Sequence, residues 1–364
     1  MNSRRNFLRN VSLSAVGSSL PYSILARALF SKKKLGVALV GLGYYSTDLL
    51  APALQLTQFC ELKGIVTGSP EKIPQWQRKY GILDSDVYNY ENMHKLANNP
   101  DIDIVYIVLP NGLHKKFSIV AAEAGKHVWC EKPMAVSVSE CEEMISSCKK
   151  NKVQLSIGYR MQHEPVTQKI IEWAKTKPFG NISKIYAEAG YRSSGGNASH
   201  WKCNPELGGG SMYDMGVYPL NAIRYASGLE PIAVSAISQN TRPASFNVDE
   251  TMIFDLEFNN GLQAKGKCSF AEHINDLKVD CENGWYRLQP FQSYSGVQGV
   301  TSAGERLLPF KGNQQAKQMD DDALAIMNGS NPIVSGEEGL KDIRIVKAIY
   351  TSAQRNGQRI LINT

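Results

Sequence analysis

The sequence predicts an α/β Rossmann domain followed by an α+β domain with a large, mostly antiparallel sheet. Three observations predict it. Strand-like apolar runs alternate with helical spacings up to residue 158, a glycine turn joins the first strand to the first helix, and beyond residue 159 the runs alternate apolar and polar residues with period two. With 364 residues the chain is long enough for two buried cores.

Leu35 to Val40 is apolar and opens the pattern as a strand. Gly41-Leu42-Gly43-Tyr44-Tyr45-Ser46 turns the chain, and Leu49 to Leu56 continues at helical spacing. Glu61 to Thr67 follows as a strand, Pro74 to Tyr80 and Met93 to Ala97 as helices, and Ile102 to Leu109 as an apolar strand. Phe117 to Ala124 reads as a helix, His127 to Cys130 as a strand, Ser139 to Asn151 as a helix and Gln154 to Gly158 as the last strand. Such apolar strands fit a parallel sheet covered on both faces. The first domain therefore spans 35–158. In the second, 159–364, Val166 to Thr176 is a helix, and Ile182 to Ala189, Ile232 to Ser238, Thr251 to Phe258, Gln263 to Phe270 and Leu277 to Cys281 alternate as antiparallel strands. Met212 to Ala226 interrupts them as a helix, and Ile343 to Arg355 closes the chain with another.

Composition narrows the function. Hydrophobic residues make up 43% and charged residues 20%, which fits a soluble globular chain. The net charge of +6 lies largely in residues 1–34, where Arg4, Arg5, Arg9, Arg27, Lys32, Lys33 and Lys34 stand without an acid. The rest is near neutral, so neither a nucleic acid nor a membrane surface is an expected partner. Ser3-Arg4-Arg5-Asn6-Phe7-Leu8, a weakly apolar stretch and Ala26-Arg27-Ala28 resemble a twin-arginine export signal, which implies a periplasmic or exported protein. A basic amphipathic arm on a cytoplasmic protein is the alternative. The apolar stretch is too short and polar to span a membrane. Seven cysteines without a C-x-x-C pair indicate neither a zinc site nor a disulfide framework, and no metal is expected.

Gly41-x-Gly43 between a strand and a helix is the turn that lets a pyrophosphate approach backbone N–H groups. Ser46 replaces the third glycine of the G-x-G-x-x-G pattern. Val66-Thr67-Gly68-Ser69-Pro70-Glu71-Lys72 offers hydroxyls and a cation where an acid would bind the ribose of NAD, so Thr67, Ser69 and Lys72 favour NADP, with NAD the alternative.

Val128-Trp129-Cys130-Glu131-Lys132-Pro133 and Gly208-Gly209-Gly210-Ser211-Met212-Tyr213-Asp214-Met215-Gly216-Val217-Tyr218 resemble the Glu-Lys-Pro motif and glycine-led catalytic helix of the Gfo/Idh/MocA oxidoreductases, most closely the glucose-fructose oxidoreductase branch. Val105-Tyr106-Ile107-Val108-Leu109-Pro110-Asn111 with His114, Ala124-Gly125-Lys126-His127-Val128, Ile157-Gly158-Tyr159-Arg160 and Gly336-Glu337-Glu338-Gly339 extend the likeness over nearly the whole chain from Leu35. The resemblance implies hydride transfer between nicotinamide and a sugar or polyol in a homodimer or homotetramer, with a cis bond before Pro133.

Such a reaction needs a proton relay at the reacting hydroxyl. Lys132, at a strand's carboxyl end, suits that work, or is a surface lysine in a turn. Asp214 and Tyr218, four apart on a helix, share a face and reach one sugar. In the resembling branch the tyrosine is the acid–base residue, and the alternative for Tyr218 is packing. Gly208 to Gly210 leave room for substrate or form a loop. Tyr44, Tyr45, Leu109, Pro110, Asn111, His114, Glu131, Arg160, Trp201 and Lys202 complete the expected cofactor set, Arg160 touching cofactor or substrate, and Lys202 replacing an arginine of the family. His163 and His200 are not in the first rank. A sugar or inositol dehydrogenase with exchangeable cofactor and an NAD-dependent glycoside hydrolase are the alternative functions.

Overall fold

Six short apolar runs, β1 (Leu35–Val40), β2 (Cys60–Val66), β3 (Val87–Tyr88), β4 (Ile104–Ile107), β5 (His127–Cys130) and β6 (Leu155–Ile157), pair in parallel in the order β3-β2-β1-β4-β5-β6. The computed structural model describes residues 34–193, 200–243 and 246–362. The segment read as an export signal lies outside the described residues. Every residue of β4 is buried, as a central strand covered on both faces requires. A π-helical turn, Tyr45–Leu50, runs into α1 (Ala51–Leu54), and α2 (Ile73–Tyr80), α3 (His114–Glu123) and α4 (Val138–Lys150) follow. The strand order reverses between β1 and β4, and a crevice opens outside the carboxyl ends of such strands.

The remainder is α5 (Pro165–Thr176), β7 (Ile182–Gly190), a π-helical turn Met212–Gly216 continuing as α6 (Val217–Ser227), and β8 (Ala233–Gln239). Then come β9 (Thr251–Glu257), β10 (Gln263–Ser269), β11 (Ile274–Cys281), β12 (Gly284–Leu288), β13 (Gly299–Thr301), β14 (Arg306–Leu307), α7 (Gln314–Asn328), α8 (Gly336–Gln354) and β15 (Ile360–Leu361). The strands form a nine-stranded sheet, β14-β13-β12-β11-β7-β10-β9-β8-β15, antiparallel except where β10 runs parallel to β7. The expected α/β and α+β halves are both present.

Five strands escaped the sequence reading: β3, β12, β13, β14 and β15 have between two and five residues each, too few for a period to register. Helix α7 escaped for another reason. Its buried face carries Gln314, Gln315, Gln318 and Asp322, which erase the apolar stripe a helix normally shows. Its Ala316, Met319 and Ala323 nonetheless join the core around β1 and β2. Late chain thus closes one face of the first sheet, behind the crevice. Six of the seven cysteines are buried, and among the described residues no helix is long and apolar enough to cross a membrane.

Candidate active site

At the carboxyl ends of β1, β4 and β5 lies a cleft of about 1230 Å³. Gly41, Gly43, Tyr44, Tyr45, Thr67, Ser69, Lys72, Leu109, Pro110, Asn111, Glu131, Lys132, Trp201, Lys202, Asp214 and Tyr218 all line it. Residues from both sheets therefore meet in one space.

The glycine turn is built by steric need at one position and left open at the other. Gly41 has φ +89°, and a Cβ there would lie 2.4 Å from the Val108 carbonyl oxygen, so only glycine fits. A Cβ on Gly43 would meet nothing within 4 Å, so the space above it is free for a ligand rather than filled by the protein. Ser46, in place of the third glycine, is fully buried and donates its hydroxyl to the Gly41 carbonyl at 2.5 Å, tying the turn shut from beneath. At the tip of β2, Thr67 Oγ1 accepts from the Ser69 N–H at 3.0 Å, and Lys72 Nζ donates to the Leu42 carbonyl at 2.9 Å. This places an ammonium beside the turn with no acid at the strand end, and among the described residues Glu71 forms no ion pair with it. A dinucleotide fits this cradle, and the donors at its rim suit a 2′-phosphate. In Lys72→Glu the Kd for NADP is expected to rise about 10- to 100-fold, the loss of a charge-assisted contact, while that for NAD changes less. Fluorescence titration with both dinucleotides checks it.

The Lys132-Pro133 bond is cis, as the resemblance implied. Behind it, α4 opens with Ser137 accepting from the Glu140 N–H at 3.2 Å, and the Glu140 carboxylate accepts from the Val136 N–H at 3.2 Å. This reciprocal cap holds the segment that follows the lysine. Lys132 Nζ donates to the Asp214 carbonyl at 2.8 Å and stands 4.5 Å from the centre of the Tyr218 ring. Burial pushes this ammonium below the ordinary lysine range, against the opposing pull of Asp214, Tyr294 and Glu131. Through Met212–Gly216 the backbone is π-helical and passes directly into α6, and it is from this turn that the Asp214 carbonyl meets Lys132.

Asp214 is fixed from the other side. Its Oδ2 accepts from Lys202 Nζ at 2.8 Å and from the Tyr191 hydroxyl at 3.0 Å. Burial alone would raise this carboxyl, but Lys202 and Lys132 outweigh it and hold it below the usual range. Lys202, expected as a cofactor ligand, is thus an ion-pair partner of Asp214 within the cleft. The Tyr218 phenol is pushed up by burial and pulled back by the Arg160 charge. Glu131 accepts from the Tyr106 hydroxyl at 2.6 Å, and burial raises its carboxyl.

Three expectations change. His114 does not line the cleft: it is fully buried, with Nδ1 2.9 Å from the Pro133 carbonyl and Nε2 2.8 Å from the Leu109 carbonyl. It braces the cis turn against the loop after β4. Arg160 is also buried, 3% exposed, and does not line this cleft. The glycines at 208–210 serve packing, since a Cβ would lie 2.5 Å from Val136 Cγ1 at Gly208, 2.5 Å from the Lys202 carbonyl at Gly209 and 2.2 Å from Asp249 Oδ1 at Gly210. The close approach lets the Gly208 carbonyl accept from Asn111 Nδ2 at 2.7 Å, joining the two halves of the cleft. Sequence reasoning missed Tyr191 and Tyr294. Tyr294, half exposed, rises from the segment between β12 and β13, its ring centre 6.0 Å from that of Tyr45. No motif or period surrounds it. His163 is buried against Asp321 at 3.0 Å, and the described residues contain no cluster able to hold a metal.

Residues 35–159 match a family described as an oxidoreductase family with NAD-binding Rossmann fold, and residues 167–287 match the GFO/IDH/MocA C-terminal domain. An aldose-aldose oxidoreductase from Caulobacter crescentus, solved with glycerol, superposes with TM-score 0.86 at 37% identity, covering 90% of this chain and 99% of that one. D-xylose 1-dehydrogenase [NADP(+)] of Haloarcula marismortui is 28% identical over 331 residues, 87% of this chain and 90% of that protein. D-glucoside 3-dehydrogenase of Escherichia coli is 24% identical over 356 residues, 92% of this chain and 99% of that protein.

Proposed function

Because the chain belongs to the GFO/IDH/MocA oxidoreductase family, we propose that it transfers a hydride between NADP and a CH–OH carbon of a sugar, with Lys132, Asp214 and Tyr218 as catalytic residues. The observation that carries this reading is Lys132 Nζ lying 2.8 Å from the Asp214 carbonyl and 4.5 Å from the Tyr218 ring, at the inner end of a cleft that begins at Gly41. The NADP-dependent D-xylose enzyme and the aldose-aldose oxidoreductase among the relatives support an aldose substrate. None of the three relatives is named a hydrolase, so that alternative is not favoured.

Bound nicotinamide supplies the carbon that accepts or returns the hydride. The chain's own groups handle the proton and the charge. As the hydride leaves carbon, the hydroxyl proton passes to the Lys132–Tyr218 pair, and the Lys132 ammonium steadies the negative charge growing on the sugar oxygen. Asp214, clamped by Lys202 and Tyr191, orients the sugar and keeps a compensating charge beside Lys132. Mixing purified protein with NADP and a panel of aldoses is expected to build the absorbance of reduced nicotinamide. Release of the aglycone from a chromogenic glycoside, with no sugar turning over the dinucleotide, would overturn the reading.

Export belongs to the same proposal and is supported by Arg4-Arg5-Asn6-Phe7-Leu8 and the following apolar stretch; a shortened chain in the periplasmic fraction is the expected result. A cofactor retained through cycles of oxidising one sugar and reducing another suits that compartment, and mass spectrometry of the supernatant from denatured protein tests for it. The homodimer or homotetramer that the resemblance implies belongs to the same proposal. Light scattering reads the mass.

A further inference from the structure

Beyond Gly190, where β7 ends, its pairing with the neighbouring strand β10 runs on towards the cleft. The Tyr191 N–H donates to the Ser269 carbonyl at 3.1 Å, the Ser193 N–H to the Phe270 carbonyl at 2.9 Å, and the Phe270 N–H to the Glu250 carbonyl at 2.8 Å. Tyr191, Ser193 and Phe270 all line the cleft. Such ladder ends fray unless a group outside the ladder ties them down.

Arg242, which follows β8, is that tie. Its Nη1 donates to the Ser193 carbonyl and its Nη2 to the Phe270 carbonyl, both at 2.8 Å. Its Nε donates to Glu250, whose fully buried carboxylate also accepts from the Thr241 hydroxyl at 2.8 Å and the Arg242 N–H at 3.1 Å. One guanidinium thus joins the chain beyond β7, the chain beyond β10 and the residue before β9, a spread of donors that a lysine ammonium lacks. The guanidinium carbon also lies 5.0 Å from the centre of the Phe246 ring, Phe246 stacks on Phe270 at 5.9 Å, and Phe270 lies 5.3 Å from the Tyr191 ring. Backbone and rings lead to the same residue.

Tyr191 stands between two charged groups of the site: its hydroxyl accepts from Lys202 Nζ at 3.2 Å and donates to Asp214 Oδ2 at 3.0 Å. The residue before Glu250 secures the other side of that contact. Asp249 Oδ2 accepts from the Ser211 hydroxyl and the Met212 N–H, both at 2.7 Å, where the turn that carries Asp214 begins. Arg242 and the Asp249-Glu250 pair therefore hold both the phenol and the carboxylate it meets.

We propose that Arg242 is a positioning residue that acts through Tyr191: by latching the chain beyond β7 to Phe270 and Glu250, it keeps the Tyr191 hydroxyl on the Asp214 carboxylate and so sets where that carboxylate meets the sugar. The consequence for sugar binding rests on the sugar-oxidoreductase reading, whereas the hold on Tyr191 rests on the structure alone. A guanidinium that only neutralised Glu250 would affect stability without its effect on the sugar depending on Tyr191.

Hydrogen exchange and a double-mutant cycle test this. In Arg242→Met the Tyr191 and Ser193 amides, read by fragment mass spectrometry, are expected to exchange about 10-fold faster than in the parent, because the bonds that tie the ladder end are gone. For the aldose, kcat/KM is expected to fall about 10-fold, carried by KM, while the dinucleotide Kd stays parental. In a Tyr191→Phe background the same substitution is expected to cost less than about twofold, since the hydroxyl through which it acts is already absent. An equal loss in both backgrounds, or a folded Arg242→Met whose amides exchange at the parental rate, overturns the proposal. Arg242→Lys keeps a cation beside Glu250 and loses the spread of the fork. If Arg242→Met does not fold, the lysine variant is expected to show the same changes at about threefold, and parental behaviour there overturns the proposal equally. Faster exchange with no aldose reacting would sink the sugar-oxidoreductase reading and leave the hold on Tyr191 standing.

Discussion

Replacing Lys132 by methionine is expected to lower kcat/KM for the sugar by about 10³- to 10⁴-fold with the dinucleotide Kd changed less than about threefold. The size follows from two functions lost at once. The ammonium is half of the proton-accepting pair and also the nearest cation to the oxygen on which charge develops. Methionine matches the length and apolar packing of the lysine stem, so the Tyr218 ring keeps its neighbour. Because the site keeps its shape, the loss should fall on kcat, with KM for the sugar moving little. Sign matters for pH as well. Burial depresses the Lys132 ammonium, so in the parent enzyme the role of a charged lysine should fade at a lower pH than for a free lysine side chain. Methionine abolishes that alkaline decline along with most of the rate. Steady-state kinetics across pH, paired with dinucleotide titration, check both parts. A variant retaining a tenth of parental kcat would remove Lys132 from the chemistry.

How much of this site was legible in the sequence depends on whether a residue's task is local. Gly41 could be read because a strand-to-helix turn of positive φ asks for glycine on its own account, and Glu131-Lys132-Pro133 because three adjacent residues do one job. The pairing of Asp214 with Tyr218 was read as a helical face, yet Asp214 lies in a π-helical turn whose backbone carbonyl receives Lys132. Nothing in the spacing signals that turn. Tyr191 and Tyr294 reach the cleft only because β7 and the segment after β12 end there, a consequence of strand pairing between residues far apart in the chain. His114 and Arg160 were found by their motifs and misplaced by them: nearness to a cleft in sequence does not say which way a side chain points. Gln314 and Gln318 on α7 were invisible for the opposite reason. A polar residue that binds a buried neighbour, as Gln318 does with the Tyr106 hydroxyl at 3.2 Å, looks in sequence like a residue facing water.

Arg224 shows what holds the catalytic helix itself. It lies on α6, 4% exposed, with Nη1 2.6 Å from Asp342 Oδ1, Nη2 2.6 Å from Glu338 and 2.7 Å from Glu230. Asp342, fully buried on α8, also accepts from Asn221 Nδ2 at 3.0 Å, and Asn221 Oδ1 accepts from Gln162 Nε2 at 3.1 Å. One turn of α6 is thereby bound to α8 and to the 3₁₀ turn that carries Arg160. Replacing Arg224 by methionine strands a buried carboxylate, and removing one partner of such a network costs about 3–5 kcal/mol, a fall in Tm of roughly 5–15 °C. The pH dependence separates this cause from lost packing. Burial already raises the Asp342 carboxyl even with Arg224 beside it, and without the guanidinium it rises further. A carboxyl whose folded pKa exceeds its unfolded value binds its proton better in the folded state. It therefore destabilises least at low pH and more as pH climbs above the unfolded value near 4. The Tm deficit of Arg224→Met should accordingly shrink as pH falls from about 8 to about 5, and Asp342→Asn on top of Arg224→Met should recover part of it at the higher pH. A deficit equal at both ends of that range would mean that the helix is held by shape rather than by charge.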